Sequence, residues 1–275
     1  MSLPVHVINL DRVPERAVFM QAQCAAAGFD DVRRFSAVDA ATMTASPRYR
    51  PARWGAYWSL LPSEVAVFES HRALWEVIAA SNNPAVVLED DVLLSRAAAR
   101  LCGVLAGRAE AFDMVKLDGL SWPMRLGPET IVGDAALRPL ESVVPSAAAY
   151  LLSPAGARLL LRRSQSYCDH LDDFITRRHP GYRAFQLVPA VAMQAMFADL
   201  SGLSDLQQSI AGSERTSSAP RARAPKGPAL YRLGKEVRRG AQKLSRRLWR
   251  DRLLQKRGGH VGEIPLASDL PPYRA

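Results

Sequence analysis

Ala85-Val86-Val87-Leu88-Glu89-Asp90-Asp91-Val92 is the stretch on which the reading of the chain turns. Its apolar start predicts a buried strand, and three carboxylates follow at the carboxyl end. Crowded carboxylates repel one another and are costly to remove from water. A divalent cation removes that cost, and hard oxygen ligands suit Mg2+ or Mn2+. In open α/β sheets, ligands sit at the carboxyl ends of strands. The run therefore marks a place for a metal and a phosphate-bearing substrate. A strand ending in a solvated acidic turn would use the same residues.

Upstream, Val65, Phe68, Ala73, Leu74, Trp75 and Ile78 form an apolar stripe on a helix that Ser63 is expected to cap and Asn82-Asn83-Pro84 to end. Before it, Val5 to Leu10 predicts a first strand, and Asp11 to Arg16 a polar turn opening a helix that runs to Gly28, with Pro14 in its first turn. Val32 to Val38 predicts a second strand, and residues 40–61 a long loop near the active site. Downstream, a helix is expected near residues 95–107 and a strand at Asp113 to Leu117. An irregular stretch over 119–145, a strand at Ala147 to Leu152 and a helix from Pro154 to Arg163 follow. Strands alternating with helices predict an α/β sheet with crossovers.

The 275 residues suffice for one large domain or two small ones, and an apolar fraction of 48% fits a soluble globular protein. No stretch approaches the roughly 18 consecutive apolar residues of a spanning helix. The start shows no basic segment followed by a long apolar one, so a secretory signal is not expected. Cys24, Cys102 and Cys168 have neither metal-ligand spacing nor a disulfide pattern, which suits a reducing cytoplasm. Charge is uneven. Of 36 Lys+Arg and 27 Asp+Glu, 16 and 5 fall from residue 213 onward, a net of +11 there against −2 in the body. The basicity thus belongs to the tail and points to an anionic partner.

Residues 1–212 are read as the catalytic domain, 213–228 as a linker rich in Ser, Ala, Pro and Arg, 229–257 as a basic amphipathic helix and 258–275 as a disordered tail. In the helix Leu230, Leu233, Val237, Ala241, Leu244 and Leu248 recur at helical spacing, with Arg and Lys on the other faces and Trp249 near the end. Such a helix fits the anionic inner face of a membrane. Nucleic acid is the other anionic surface to weigh, but an apolar stripe and a tryptophan would serve no purpose in a phosphate-binding arm, so no nucleic-acid partner is expected.

Four segments carry a family likeness: Val7-Ile8-Asn9-Leu10-Asp11-Arg12 with Arg16; Pro62-Ser63-Glu64-Val65 with Ser70-His71-Arg72 and Trp75; Leu88-Glu89-Asp90-Asp91-Val92; and Ala149-Tyr150-Leu151-Leu152-Ser153 with Gly156-Ala157. In this order and spacing the chain resembles glycosyltransferase family 25, the bacterial lipopolysaccharide or lipooligosaccharide glycosyltransferases whose relatives include collagen galactosyltransferases. Weaker echoes continue at Asp172-Asp173, Pro189 and Gln194. One departure stands out. The family usually has Gly-Glu-Xaa-Gly-Cys where this chain has Ser63-Glu64-Val65-Ala66-Val67, so a close backbone approach there is not expected.

The resemblance implies a GT-A-like nucleotide-diphospho-sugar transferase fold, with a mixed, mainly parallel sheet flanked by helices and the C-terminal helix added. It implies inverting transfer from a nucleotide sugar, most often UDP-galactose, to a glycan or glycolipid acceptor. It places Glu89-Asp90-Asp91 where the family has its D-x-D metal motif. Asp91, the distal carboxylate, is the expected direct ligand of Mn2+ or Mg2+. Glu89 fits a ribose or water-mediated metal contact, and Asp90 points to the other side if the strand continues. Asn9, Asp11, Arg12 and Arg16 follow the first strand, where nucleotides commonly rest, and either arginine could bind phosphate bidentately. Arg16 would equally suit a helix surface.

Glu64 suits the helix start, and His71, seven residues on, shares its face and is a candidate donor or metal contact, or a hydrogen-bonded core histidine. Lys116, the only lysine before residue 226, stands beside Asp118 as a candidate site cation or a buried ion pair. An inverting transfer needs a base on the acceptor hydroxyl. The resemblance places a carboxylate in Asp169-His170-Leu171-Asp172-Asp173, best matched to Asp172 or Asp173, with Asp172 preferred; an acidic turn at a helix start would use the same residues. The expected enzyme is cytoplasmic and peripheral on the inner face of the bacterial membrane. Two rival readings use the same residues: a metal-dependent phosphoesterase, and a membrane-docked binding protein that has kept the fold and lost turnover.

Overall fold

The computed structural model describes residues 2–54, 59–199 and 227–274. Strand β1 (Val5–Asn9) leads through Pro14, at the first helical position, into helix α1 (Pro14–Ala26), and β2 (Val32–Ser36) returns beside β1. Helix α2 (Pro62–Ala80), strand β3 (Ala85–Glu89) and strand β4 (Val92–Leu94) bring the acidic run into place. Then come α3 (Ala98–Ala106), β5 (Met114–Lys116), β6 (Met124–Leu126), β7 (Thr130–Val132), β8 (Ala135–Pro139), β9 (Ala149–Leu152), α4 (Pro154–Arg163) and α5 (Leu171–Thr176). Strands β10 (Ala184–Val188) and β11 (Ala192–Gln194) close the body. A C-terminal arm follows, made of α6 (Ala229–Ser245), a π turn over Arg246–Arg250, α7 (Asp251–Lys256) and β12 (His260–Gly262).

The main sheet runs β2-β1-β3-β9-β5-β10-β8-β7. It is mixed, as expected, but it is not mainly parallel. Pairs β1–β2, β1–β3 and β5–β10 are parallel, whereas β3–β9, β5–β9, β8–β10 and β7–β8 are antiparallel. The reason is the stretch over 119–145, expected to be irregular, which holds β6, β7 and β8. The chain comes back from that excursion without a crossover helix, so β9 enters between β3 and β5 running opposite to both.

Side-chain alternation gives the sheet two apolar faces. Val86, Leu88, Ala149 and Leu151 pack with Phe19, Met20 and Cys24 of α1 and Leu101 and Leu105 of α3. Ala85, Val87, Tyr150 and Leu152 pack with Phe68, Trp75 and Ile78 of α2, Leu160 of α4 and Phe174 of α5. Glu89 continues the Ala85–Val87 face and so points toward α2. That helix begins at Pro62 rather than being capped by Ser63; Glu64 Oε2 instead accepts the Leu61 N–H at 2.8 Å, satisfying a donor of the first turn. The segment that departs from the family's glycine pattern is therefore ordinary helix, with Val65 and Ala66 buried.

Residues 258–275, expected to be disordered, are held to the body over the part described. Strand β12 pairs with β6, and bridges join Ala190 to Leu266 and Ala198 to Tyr273. Leu266, Leu270 and Tyr273 pack against the core of the α1 face. Gly119 permits this, because a Cβ there would lie 2.7 Å from both Leu266 Cδ2 and Tyr273 Oη. Low apolar density in the sequence concealed a strap that turns Ile264, Leu266, Leu270 and Tyr273 to the core. The expected linker lies almost entirely outside the described residues.

Helix α4 rests on β5 at Gly156, where a Cβ would come 2.2 Å from the Asp113 carbonyl oxygen. Two backbones this close leave no side chain to move aside. Gly156→Ala is expected to lower the unfolding free energy by about 1–3 kcal/mol despite its better helix propensity, measured by urea denaturation.

Candidate active site

The acidic run splits by direction. Glu89 ends β3, Asp90 and Asp91 form the turn, and Val92 starts β4. Strand β4 pairs with β11 in a register that sets Gln194 opposite Val92. That register delivers one amide to two carboxylates: Gln194 Nε2 donates to Glu89 Oε2 at 2.9 Å and to Asp91 at 3.3–3.4 Å. Gln194 and Asp91 are both buried.

His71 reaches Glu89 from α2, its Nε2 lying 3.6 Å from Glu89 Oε1. Its Nδ1 is 2.8 Å from the Tyr150 hydroxyl, which accepts from Trp75 Nε1 at 2.9 Å. Burial pushes the Tyr150 phenol up, so it keeps its proton and has one to donate. The Tyr150 hydroxyl thereby holds the His71 ring with Nε2 on the Glu89 side. His71 thus touches the cluster through Glu89.

Asp90 turns to the opposite side. Its Oδ2 accepts from Asn9 Nδ2 at 2.8 Å and its Oδ1 from Arg16 at 3.2 Å. Burial raises its carboxyl above the ordinary range, against the lowering pull of Asn9 and Arg16. The rest of the Asn9 amide is engaged by the Val13 carbonyl and by Arg34 Nε. Asn9 and Asp90, expected at the cofactor, form a strut between β1, α1 and the acidic turn, and Asp90 also lines the cleft described below. Asp11 is exposed and bonds Arg34 and Ser36, outside the cleft described below. Arg12, paired with Asp39 at 2.9 Å, and Arg16 both line that cleft.

Lys116 and Asp118 form a fully buried ion pair at 2.6 Å. Lys116 Nζ also donates to the Ser146 carbonyl at 2.8 Å, so it organises the site from behind rather than facing a ligand. Ser146 is the only non-glycine residue with a positive φ, +70°, among the described residues. That conformation costs about 1–3 kcal/mol and persists where surroundings over-determine it. Here its hydroxyl lies 2.6 Å from Asp118 Oδ2 and 3.3 Å from Gln194 Oε1, and its N–H donates to Asp172 Oδ2 at 3.1 Å. No glycine or asparagine marked the turn. Gln194 carried a faint signal, and its meaning depends on the β4–β11 register.

Asp172 Oδ1 accepts the Asp173 N–H at 2.9 Å, while burial and the Asp172 charge raise the Asp173 carboxyl. Two clefts meet over these groups. One, about 380 Å³, is lined by Ile8, Arg12, Arg16, Ser70, His71 and the acidic run. The other, about 310 Å³, is lined by Glu64, Ser146, His170, Asp172, Gln194 and Phe197. Glu89, Ser63 and Val67 belong to both. Asp172 faces the second cleft; Asp173 lines neither.

Among the described residues no three His, Cys, Asp or Glu side chains are grouped so as to hold a metal alone. The donor set fits a cation shared with a substrate. Mg2+ at diphosphates takes one or two carboxylates and leaves the other positions to phosphate oxygens and water. Glu89 and Asp91, already brought to one amide, supply two carboxylates.

The model of glycosyltransferase family 25 (LPS biosynthesis protein) matches residues 2–175, more than half of the chain and every residue lining the two clefts except Gln194 and Phe197. No curated protein matches the chain.

Lys116→Met leaves Asp118 buried without its cation and is expected to cost about 3–5 kcal/mol of stability, most of it recovered in the double variant Lys116→Met/Asp118→Leu. Denaturation of the two single variants and the double variant measures this. For Asp173 the sign follows from its raised carboxyl. The folded state holds that proton more tightly, so the group's stabilisation is complete below the unfolded value of 3.8 and is lost as pH rises through the folded value. Asp173→Asn should therefore gain stability relative to wild type as pH rises through that window, read from unfolding curves at several pH values.

Proposed function

We propose, for a chain that belongs to glycosyltransferase family 25 and is a transferase of that kind, that it moves a sugar from a nucleoside-diphosphate donor to a glycan acceptor with inversion at the anomeric carbon. The donor considered first is UDP-galactose, and the acceptor a lipopolysaccharide core or similar surface glycan. The single observation that carries this reading is the junction of two clefts at Glu89, with carboxylates gathered at one side and a separately held carboxylate, Asp172, at the other. One cleft suits the nucleotide sugar and the other the acceptor, so the two reactants would meet over Glu89.

In this reading Glu89 and Asp91 would hold Mn2+ or Mg2+, and the cation would neutralise the charge that develops on the leaving diphosphate. Arg12 and Arg16 add positive charge on the wall of the donor cleft. The Gln194 amide keeps Glu89 and Asp91 in register, and His71 steadies Glu89 from α2. Asp172 takes the proton of the acceptor hydroxyl. The Ser146 and Asp173 N–H groups fix its two oxygens, so it presents a defined lone pair to the acceptor cleft. Localisation is proposed to be cytoplasmic, at the inner face of the bacterial membrane. No helix among the described residues is long and apolar enough to cross a membrane.

Nucleotide sugars screened by thermal shift, with and without Mn2+, identify the donor, because a ligand that binds the native state raises Tm. UDP-galactose is expected to give the largest shift; another nucleotide sugar doing so corrects the donor. With the donor in hand, Asp172→Asn is expected to lower kcat for transfer by about 10²–10⁴ while leaving donor affinity unchanged. Unchanged transfer by that variant removes Asp172 from the mechanism.

A further inference from the structure

Helix α6 carries its apolar residues in the open. Leu230, Leu233, Val237 and Leu244 are 84%, 63%, 63% and 57% exposed, and Trp249 beyond them is 57% exposed. At 100° per residue the four aliphatic side chains and Ala241 fall on one narrow stripe. Arg232, Lys235, Arg238, Arg239, Lys243 and Arg246 occupy the opposite side, and Glu236 is the only acid in the helix. Contiguous exposed apolar surface with a cationic flank is costly in water unless something covers it.

The arm is also fastened. At its start Tyr231 packs on Trp54, with ring centroids 5.6 Å apart, and its hydroxyl donates to the Trp54 carbonyl at 3.3 Å. Gly227 sits beneath the pair, where a Cβ would lie 2.9 Å from Tyr231 Cδ1. At the other end Asp251 takes both a 2.8 Å and a 2.9 Å hydrogen bond from Arg125, and β12 adds to β6. Trp54 belongs to the segment between β2 and α2. The start of that segment, Ala37 to Ala40, lines the donor cleft, and its end, Leu61, lines the acceptor cleft.

We propose that α6 seats the enzyme on an anionic lipid bilayer, with the apolar stripe in the acyl boundary and the basic side among the headgroups. Charge complementarity selects an anionic partner. The continuous aliphatic stripe, ending near an exposed tryptophan, selects a bilayer over a polyphosphate, which has nothing apolar to offer it. The two fastenings give the bound surface a set orientation to both clefts, so an acceptor carried on lipid is delivered to them rather than captured from solution. The inference deepens the proposed function in its location and acceptor class. It is tested without donor or acceptor, so its failure leaves the transferase reading standing.

The test uses the full chain and vesicles of phosphatidylcholine with and without phosphatidylglycerol. Co-sedimentation with the anionic vesicles alone, weakened by added salt, is the expected result. Arg238→Glu/Arg239→Glu should weaken it roughly tenfold or more. Leu233→Asp/Val237→Asp should abolish it with Tm unchanged, since neither side chain is buried. Brominated acyl chains should quench tryptophan emission in wild type and much less in Trp249→Phe, which reports insertion rather than surface adsorption. Three results overturn the proposal: equal binding to neutral and anionic vesicles, tight binding to nucleic acid that survives Leu233→Asp/Val237→Asp, and self-association through the stripe with no vesicle binding.

Discussion

Glu89 and Asp91 share the amide of Gln194 at the end of a buried strand, and the rest of the site is arranged around keeping that contact. Two carboxylates in one place repel, and removal from water magnifies the repulsion. A neutral amide with two N–H donors lowers that cost without supplying a charge that would compete with a cation. Its position is not local. It requires β11 to pair with β4 in one register, and it requires Ser146 to stand behind the amide oxygen. Ser146 in turn holds an unfavourable backbone conformation over the Lys116–Asp118 pair. Two layers of charge, the Glu89 and Asp91 carboxylates and the Lys116–Asp118 pair, are thus joined through two neutral groups, Gln194 and Ser146.

The difference between this network and the protein's other ion pairs is one of solvent. Arg100–Asp134 and Arg33–Asp31 are well formed but exposed, and pairs of that kind contribute about 0–1 kcal/mol. Lys116–Asp118 is inaccessible to water, so losing one partner leaves an uncompensated charge. A pair that costs this much to bury is weak support for stability and makes better sense as a means of fixing geometry. It places the Ser146 amide against Asp172, and the same serine touches Gln194. One buried cation therefore indirectly positions groups in both clefts.

Much of this was legible in the sequence. The Ala85–Leu88 run with its acidic end, the Pro14 helix start, the α2 stripe and the family segments placed β1, α1, α2, β3 and the acidic turn correctly. Strands β6, β7 and β11 have three residues each, too few to show alternation, and β6 and β11 find their partners, β12 and β4, far away in sequence. That Asn9 and Asp90 bond each other is visible only once β1 and β3 are parallel neighbours. Ser146 gave no sign, since serine is not a residue that turns of positive φ usually select. The C-terminal strap is hidden in the composition, because a few core-facing residues, Ile264, Leu266, Leu270 and Tyr273, do not raise its average hydropathy.

The central claim is that Glu89 and Asp91 exist to grip a cation together with a diphosphate. Calorimetric titration of Mn2+ into the protein saturated with UDP tests it most directly, with wild type and Asp91→Asn compared side by side. The account predicts one saturable Mn2+ site that needs UDP for full affinity and is lost or weakened at least tenfold in Asp91→Asn. Mn2+ affinity that is the same with and without UDP, or the same in both proteins, contradicts it.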